Sequence, residues 1–257
     1  MAGKVQGADQ GTSLVTTDDS QPERRQIYGR RQGRKLRPGR QDLVDRLLPQ
    51  LAIPLPPASQ TASSRTIDPV ALFEPPPKDL WLEIGFGGGE HLAWQAEHHP
   101  EVGFLAAEYF VNGIASLLRE LDKRRLRNVR LYQGDGRDLL EALPEASISR
   151  VFILFPDPWR KTRHHKRRVV QRETLDRLAH VMRDGAELRL ATDHRDYLIW
   201  MLAHCCAHPA FRWLARRPDD WRRRAGDWPA SRYETKALES GRAPTYLRFR
   251  RRPREST

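Results

Sequence analysis

The sequence predicts an α/β fold built on an open, mostly parallel sheet. Three observations predict it. Short apolar runs alternate with stretches of helical period along most of the chain. A glycine-rich turn, Gly85-Phe86-Gly87-Gly88-Gly89, directly follows the first of those runs. Acidic residues mark the ends of the runs: Glu83 lies near one end, and Glu108, Asp135, Asp157 and Asp193 lie at or just past theirs. Strands alternating with helices make a parallel sheet, and ligands of such sheets bind beyond the carboxyl ends of the strands.

Residues 1–23 are polar, without an apolar period, and read as a disordered tail. Residues 24–68 read as a basic arm, a short helix and a linker. Eight Lys and Arg and no acid stand between Arg24 and Arg40, with Tyr28, Gly29 and Gly33 interleaved. That pattern suits an arm lying along phosphates. Asp42 to Leu51 has helical spacing through Leu43, Leu47, Leu48 and Leu51. Residues 69–257 read as the main domain with a basic end. Its strands are Leu80–Ile84, Val102–Ala107, Val129–Tyr132, Arg150–Phe155, Glu187–Thr192 and Thr245–Phe249. Its helices are His91–His98, Val111–Leu121, a stripe from Val169 to Met182, and Asp196–Cys206.

A chain of 257 residues can bury one good core. The 45 Lys and Arg against 33 Asp and Glu leave a net charge of +12, which calls for an acidic partner such as nucleic acid. No run is long enough to span a bilayer, and the first residues lack the pattern of a signal peptide. The adjacent Cys205 and Cys206 cannot build a disulfide framework, so a reducing cytoplasm is expected. His164 and His165 lack a third ligand at suitable spacing, so no metal is expected.

The glycine turn does not have the dinucleotide spacing. Read as Gly85-x-Gly87-x-x-Glu90, it sets an acid where a pyrophosphate would sit. A carboxylate at Glu83 suits a ligand with a cationic end, which favours S-adenosylmethionine over NAD. A turn with no ligand is the alternative. Glu108 follows the last glycine by 19 residues, the distance at which an acid commonly holds a ribose hydroxyl. Farther on, Pro156 and Pro158 flank Asp157 at the end of a strand. Each proline fixes its own φ and restricts the residue before it, so Asp157 sits on a stiff turn. Seven Lys and Arg and two His follow between Arg160 and Arg172. The arrangement looks like a place where a polyanion delivers a base to a carboxylate.

Four stretches carry a resemblance: Leu82 to Gly89, Phe155 to Arg168, Ala191-Thr192-Asp193, and Ser231-Arg232-Tyr233-Glu234 with Lys236, Gly241 and Arg242. With the Tyr28-Gly29-Arg30-Arg31 arm, they resemble the single-subunit bacterial tRNA (guanine-N7)-methyltransferase family over roughly Ile27 to Arg251. The resemblance implies a Rossmann-like class I methyltransferase with an open, mostly parallel seven-stranded sheet and helices on both faces. It implies methyl transfer from S-adenosylmethionine to N7 of the variable-loop guanosine of tRNA, without metal or obligate protein partner. Glu83, Gly85, Gly87, Glu108, Asp135 and Asp157 become cofactor residues, and Asp157 the catalytic one. Lys161, Asp193, Ser231, Arg232, Tyr233 and Glu234 become tRNA-binding residues; the family more usually has Thr where Ser231 stands.

On this reading Glu108 accepts from the ribose and Asp135 from the adenine amino group. Trp159 either stacks on a base or packs internally, and the same two readings hold for Trp221 and Trp228. Lys161, Arg163, Lys166, Arg167 and Arg168 meet phosphates. N7 of guanine carries a lone pair and no proton, so the reaction needs alignment more than a base. The competing readings are a DNA adenine methyltransferase, a non-catalytic RNA-binding protein and an NAD-linked oxidoreductase.

Overall fold

The computed structural model describes residues 27–56 and 66–255. The expected disordered tail, the first arginines of the arm and part of the linker lie outside the described residues. The first helix, α1 (Pro38–Leu51), starts with proline at its first turn, where a missing N–H costs nothing. After it, Ile53 N–H donates to the Leu131 carbonyl at 2.8 Å, tying the linker to the edge of the sheet.

The main domain runs β1 (Asp79–Ile84), α2 (Glu90–His98), β2 (Val102–Glu108), α3 (Val111–Arg124), β3 (Val129–Gln133) and α4 (Gly136–Ala142). It continues with β4 (Ile148–Leu154), a 3₁₀ turn (Thr162–Arg167), α5 (Arg172–Val181), β5 (Met182–Thr192) and α6 (Arg195–Ala207). It closes with β6 (Phe211–Trp213), α7 (Asp219–Arg222), α8 (Arg232–Glu239) and β7 (Thr245–Arg251). The seven strands form one sheet in the order β3-β2-β1-β4-β5-β7-β6. The first five pair in parallel, and β7 runs antiparallel between β5 and β6. This is the expected class I methyltransferase sheet. The order reverses between β1 and β4, which opens a crevice at their carboxyl ends.

Two apolar clusters sandwich the sheet. Leu82 and Ile84 of β1 pack with Leu139, Leu175, Leu178, Tyr197 and Met201 from α4, α5 and α6. Trp81, Phe104 and Phe152 pack on the other face with Leu47, Leu92, Ile114 and Leu118 from α1, α2 and α3. Strand alternation sends neighbouring residues to opposite layers. No helix among the described residues is long and apolar enough to cross a membrane.

Two expectations need correction. The stripe from Val169 to Met182 is not one helix: α5 begins at Arg172, and Met182 opens β5, paired with Ile148. The backbone of Val170 is already engaged, since its N–H donates to the Tyr197 hydroxyl at 3.3 Å and its carbonyl accepts from Trp200 Nε1 at 2.6 Å. The basic run after Trp159, which the sequence suggests is a cationic helix, forms only a 3₁₀ turn.

Candidate active site

A cavity of about 400 Å³ opens at the reversal point of the sheet. Its floor is the turn after β1. Gly85, Gly87 and Gly89 have φ of 74°, 57° and 78°, a left-handed conformation that side chains resist. A Cβ at Gly87 would stand 2.8 Å from the Tyr233 ring, whereas one at Gly85 would meet nothing within 4 Å. Gly85 therefore leaves its backbone open to a ligand.

Three carboxylates face this cavity. Glu108, at the end of β2, accepts from Gly87 N–H at 2.8 Å, Tyr109 N–H at 2.8 Å and Phe110 N–H at 2.9 Å. Burial still raises its pKa above the ordinary value, against those hydrogen bonds, and nearby Asp157 adds to the rise. Asp135 follows β3 and caps α4, accepting from Arg137 N–H at 2.9 Å, while the Arg137 guanidinium embraces the same carboxylate. Asp157 stands on the loop after β4. Phe155 and Trp159 bracket that loop with φ of 50° and 43°, rare for side chains of this size. The Asp157 carboxyl is at the cavity rim, and burial raises its pKa.

The wall beyond Asp157 is aromatic and cationic. The Arg167 guanidinium lies 4.0 Å from the Tyr28 ring centre and 5.0 Å from that of Trp159, and the two rings meet edge to face. Arm residues Ile27 to Arg30 line the cavity as well. They are held in place where Arg31 carbonyl accepts from Val111 N–H at 2.9 Å and Asn112 bonds Gly33 N–H and Arg34 carbonyl, both at 2.7 Å. The arm expected to follow phosphates thus also walls the cavity. Tyr28, an aromatic among arginines, was the signal available in the sequence.

Of the cofactor residues expected from sequence, Gly85, Gly87, Glu108, Asp135 and Asp157 come together here. Glu83 does not. It faces the other layer of the sheet, 3% exposed, with Oε2 at 2.7 Å from His91 Nδ1. Asp193 lies outside the cavity, paired with Arg242 at 2.9 Å. The Ser231 to Glu234 stretch divides. Ser231 is buried and caps α8, accepting from Glu234 N–H at 3.2 Å. Glu234 is buried against Arg224 at 3.0 Å. Both side chains are thus buried and engaged within the protein in this structure, and neither lines the cavity. Arg232 pairs with Glu90 at 2.7 Å, and the half-exposed Tyr233 lines the cavity.

Lys161, Arg163 and Lys166 are exposed around the 3₁₀ turn. Arg168 is instead fully buried, which corrects its assignment to phosphates. It donates to the Pro158 carbonyl at 2.9 Å and pairs with Asp196, so it braces the Asp157 loop from beneath. Trp159 lines the cavity, while Trp228 is buried beside Tyr246 and Trp221 packs at the edge of the core. Among the described residues, no three His, Cys, Asp or Glu side chains stand where they could hold one metal ion.

Comparison with known proteins gives the same picture. Residues 77–247 match a protein family described as "putative methyltransferase". A tRNA (guanine-N(7)-)-methyltransferase of Rhodospirillum rubrum is 50% identical over 228 residues, covering 89% of this chain and 88% of that protein. Proteins of the same name from a Ruegeria species and from Azorhizobium caulinodans are each 47% identical over 88% of this chain, covering 88% and 94% of those proteins. The chain belongs to the tRNA (guanine-N(7)-)-methyltransferase family.

Proposed function

We propose that this enzyme transfers the methyl group of S-adenosylmethionine to N7 of the variable-loop guanine of tRNA, working in the cytoplasm without an obligate protein partner. The observation that carries the reading is the convergence of Glu108, Asp135 and Asp157 on one cavity in a chain half identical to a protein of that name. The lining fits the cofactor. Gly85 gives open backbone, Glu108 keeps a lone-pair position on Oε2 for a ribose hydroxyl, and Asp135 lines the same cavity with its carboxylate shared with Arg137. Among the described residues, three acids face three arginines, Arg30, Arg137 and Arg167, so the described lining carries no cationic surplus for a pyrophosphate.

S-adenosylmethionine, when bound, supplies a methyl group on a positively charged sulfur. The protein's part is alignment and charge. Asp157 accepts hydrogen bonds from the N1 and N2 edge of guanine, and its negative charge favours the purine as that base becomes cationic. Trp159 and Tyr28, stiffened by Arg167, give the cavity an aromatic wall against which a base can pack. Arg168 holds the loop that carries Asp157. Lys161, Arg163 and Lys166 lie outside the rim, where a tRNA backbone approaches.

The reading is tested by transfer of a radiolabelled methyl group to tRNA and, in parallel, to duplex DNA. Incorporation into tRNA alone is expected. Incorporation into DNA alone would replace this reading with a DNA methyltransferase.

A further inference from the structure

A second cleft, of about 470 Å³, adjoins the active-site cavity and shares Gly87, Phe110 and Tyr233 with it. Its walls come from α1, α3, α8 and the glycine turn, segments far apart in the sequence. They bring four cations to one place: Arg40, Arg119, Arg232 and Lys236. Two acids also line the cleft, and both are engaged. Glu90 pairs with Arg232 at 2.7 Å, and Glu120 pairs with Arg119 at 2.9 Å and Arg124 at 3.1 Å. Arg40 and Lys236 have no acidic partner among the described residues.

The two clefts therefore differ in charge. Among the described residues, the lining of the first is balanced, while that of the second has two more cations than acids. A surplus of long, half-exposed cations from three separate elements suits a mobile polyanion rather than a small neutral ligand. A strand that lowers one base to Asp157 keeps its sugar–phosphate backbone outside that cavity, and Tyr233 is the wall common to both.

We propose that this second cleft is a phosphate subsite that holds the RNA backbone beside the methylated nucleotide, through Arg40, Arg119 and Lys236. The inference rests on the proposed tRNA methylation.

The test is the salt dependence of tRNA binding by the full chain carrying Arg40→Gln, Arg119→Gln and Lys236→Gln together. Each phosphate contact adds roughly 0.7–0.9 to the slope of log affinity against log salt. The triple variant is expected to lose about two from the slope, binding about a hundredfold more weakly than wild type near 0.1 M salt and converging with it near 1 M. Calorimetric titration with S-adenosylmethionine should give wild-type affinity, which shows that the variant is folded. Lys236→Gln alone, at an exposed position, should lose roughly 0.7–0.9 from the slope. Lines parallel to wild type, at whatever affinity, would overturn the subsite. A wild-type protein that does not bind tRNA would instead overturn the function on which the subsite rests.

Discussion

Two glutamates on neighbouring strands have opposite fates. Glu83 of β1 is in register with Ala106 of β2, so Glu108 stands two positions nearer the carboxyl edge of the sheet. Those two positions decide where each carboxylate is placed. Glu83 is still inside the strand, where alternation buries it against His91, beneath the glycine turn. Glu108 is the last residue of its strand and clears the edge, where the Gly87, Tyr109 and Phe110 N–H groups hold it facing the cavity. Glu108 lies past the last pair between β1 and β2, and Asp135 and Asp157 follow their own strands onto the same cavity. Asp193 also follows its strand but lies outside that cavity, paired with Arg242.

The comparison makes separable predictions. The largest effect belongs to the acid aimed at the reacting base. Asp157→Asn keeps the shape of the side chain and removes its charge, so the single-turnover rate with both substrates saturating should fall about a hundredfold or more, roughly 3 kcal/mol. A normal rate at saturation would make Asp157 a binding residue only.

The two glutamates should then separate by readout. Glu108→Ala should weaken S-adenosylmethionine binding by about 1.5–3 kcal/mol, the range for hydrogen bonds to a charged acceptor. Glu83→Ala should instead lower the stability of the fold by about 1–3 kcal/mol, because it leaves the buried Nδ1 of His91 without its hydrogen-bond partner. Glu83→Gln, which still accepts from the imidazole, should recover much of that loss. Calorimetry and urea unfolding on the three variants check the pattern. A Glu83→Ala protein of normal stability that had lost cofactor affinity would put Glu83 back in the site.

The smallest effect is on pH dependence. Burial raises the pKa of Asp157, and burial with the nearby Asp157 charge raises that of Glu108. Both act in the ionised form, so activity should be complete above the raised values and fall as pH drops through them. The acid limb of kcat/KM should therefore lie at higher pH than an unperturbed carboxylate would give. A limb at the unperturbed position would mean that neither group is desolvated in the working enzyme.

Much of this was legible in the sequence. The glycine turn, the five parallel strands and the proline-framed Asp157 are local signals, set by apolar runs and fixed φ angles. Partners from distant segments were not legible. Nothing near Glu83 announces that His91 will claim it, and nothing near Arg168 announces the Pro158 carbonyl and Asp196. The three-residue β6 is too short to carry a period, and it forms because β7 pairs with it. Ser231-x-x-Glu234 is a case where a local signal was present and outweighed. Serine followed three residues later by glutamate is the sequence signature of a helix start, and Ser231 does cap α8. Glu234 does not complete the reciprocal bond, since Arg224 takes its carboxylate.

The central claim is tested most directly by chemistry on the product. Unmodified tRNA is incubated with the full chain and S-adenosylmethionine, digested to nucleosides and separated by mass spectrometry. The account predicts 7-methylguanosine as the new nucleoside, mapping to the variable loop, and its loss with Asp157→Asn. Methyl groups appearing on adenine, on cytosine or on another atom of guanine would contradict it.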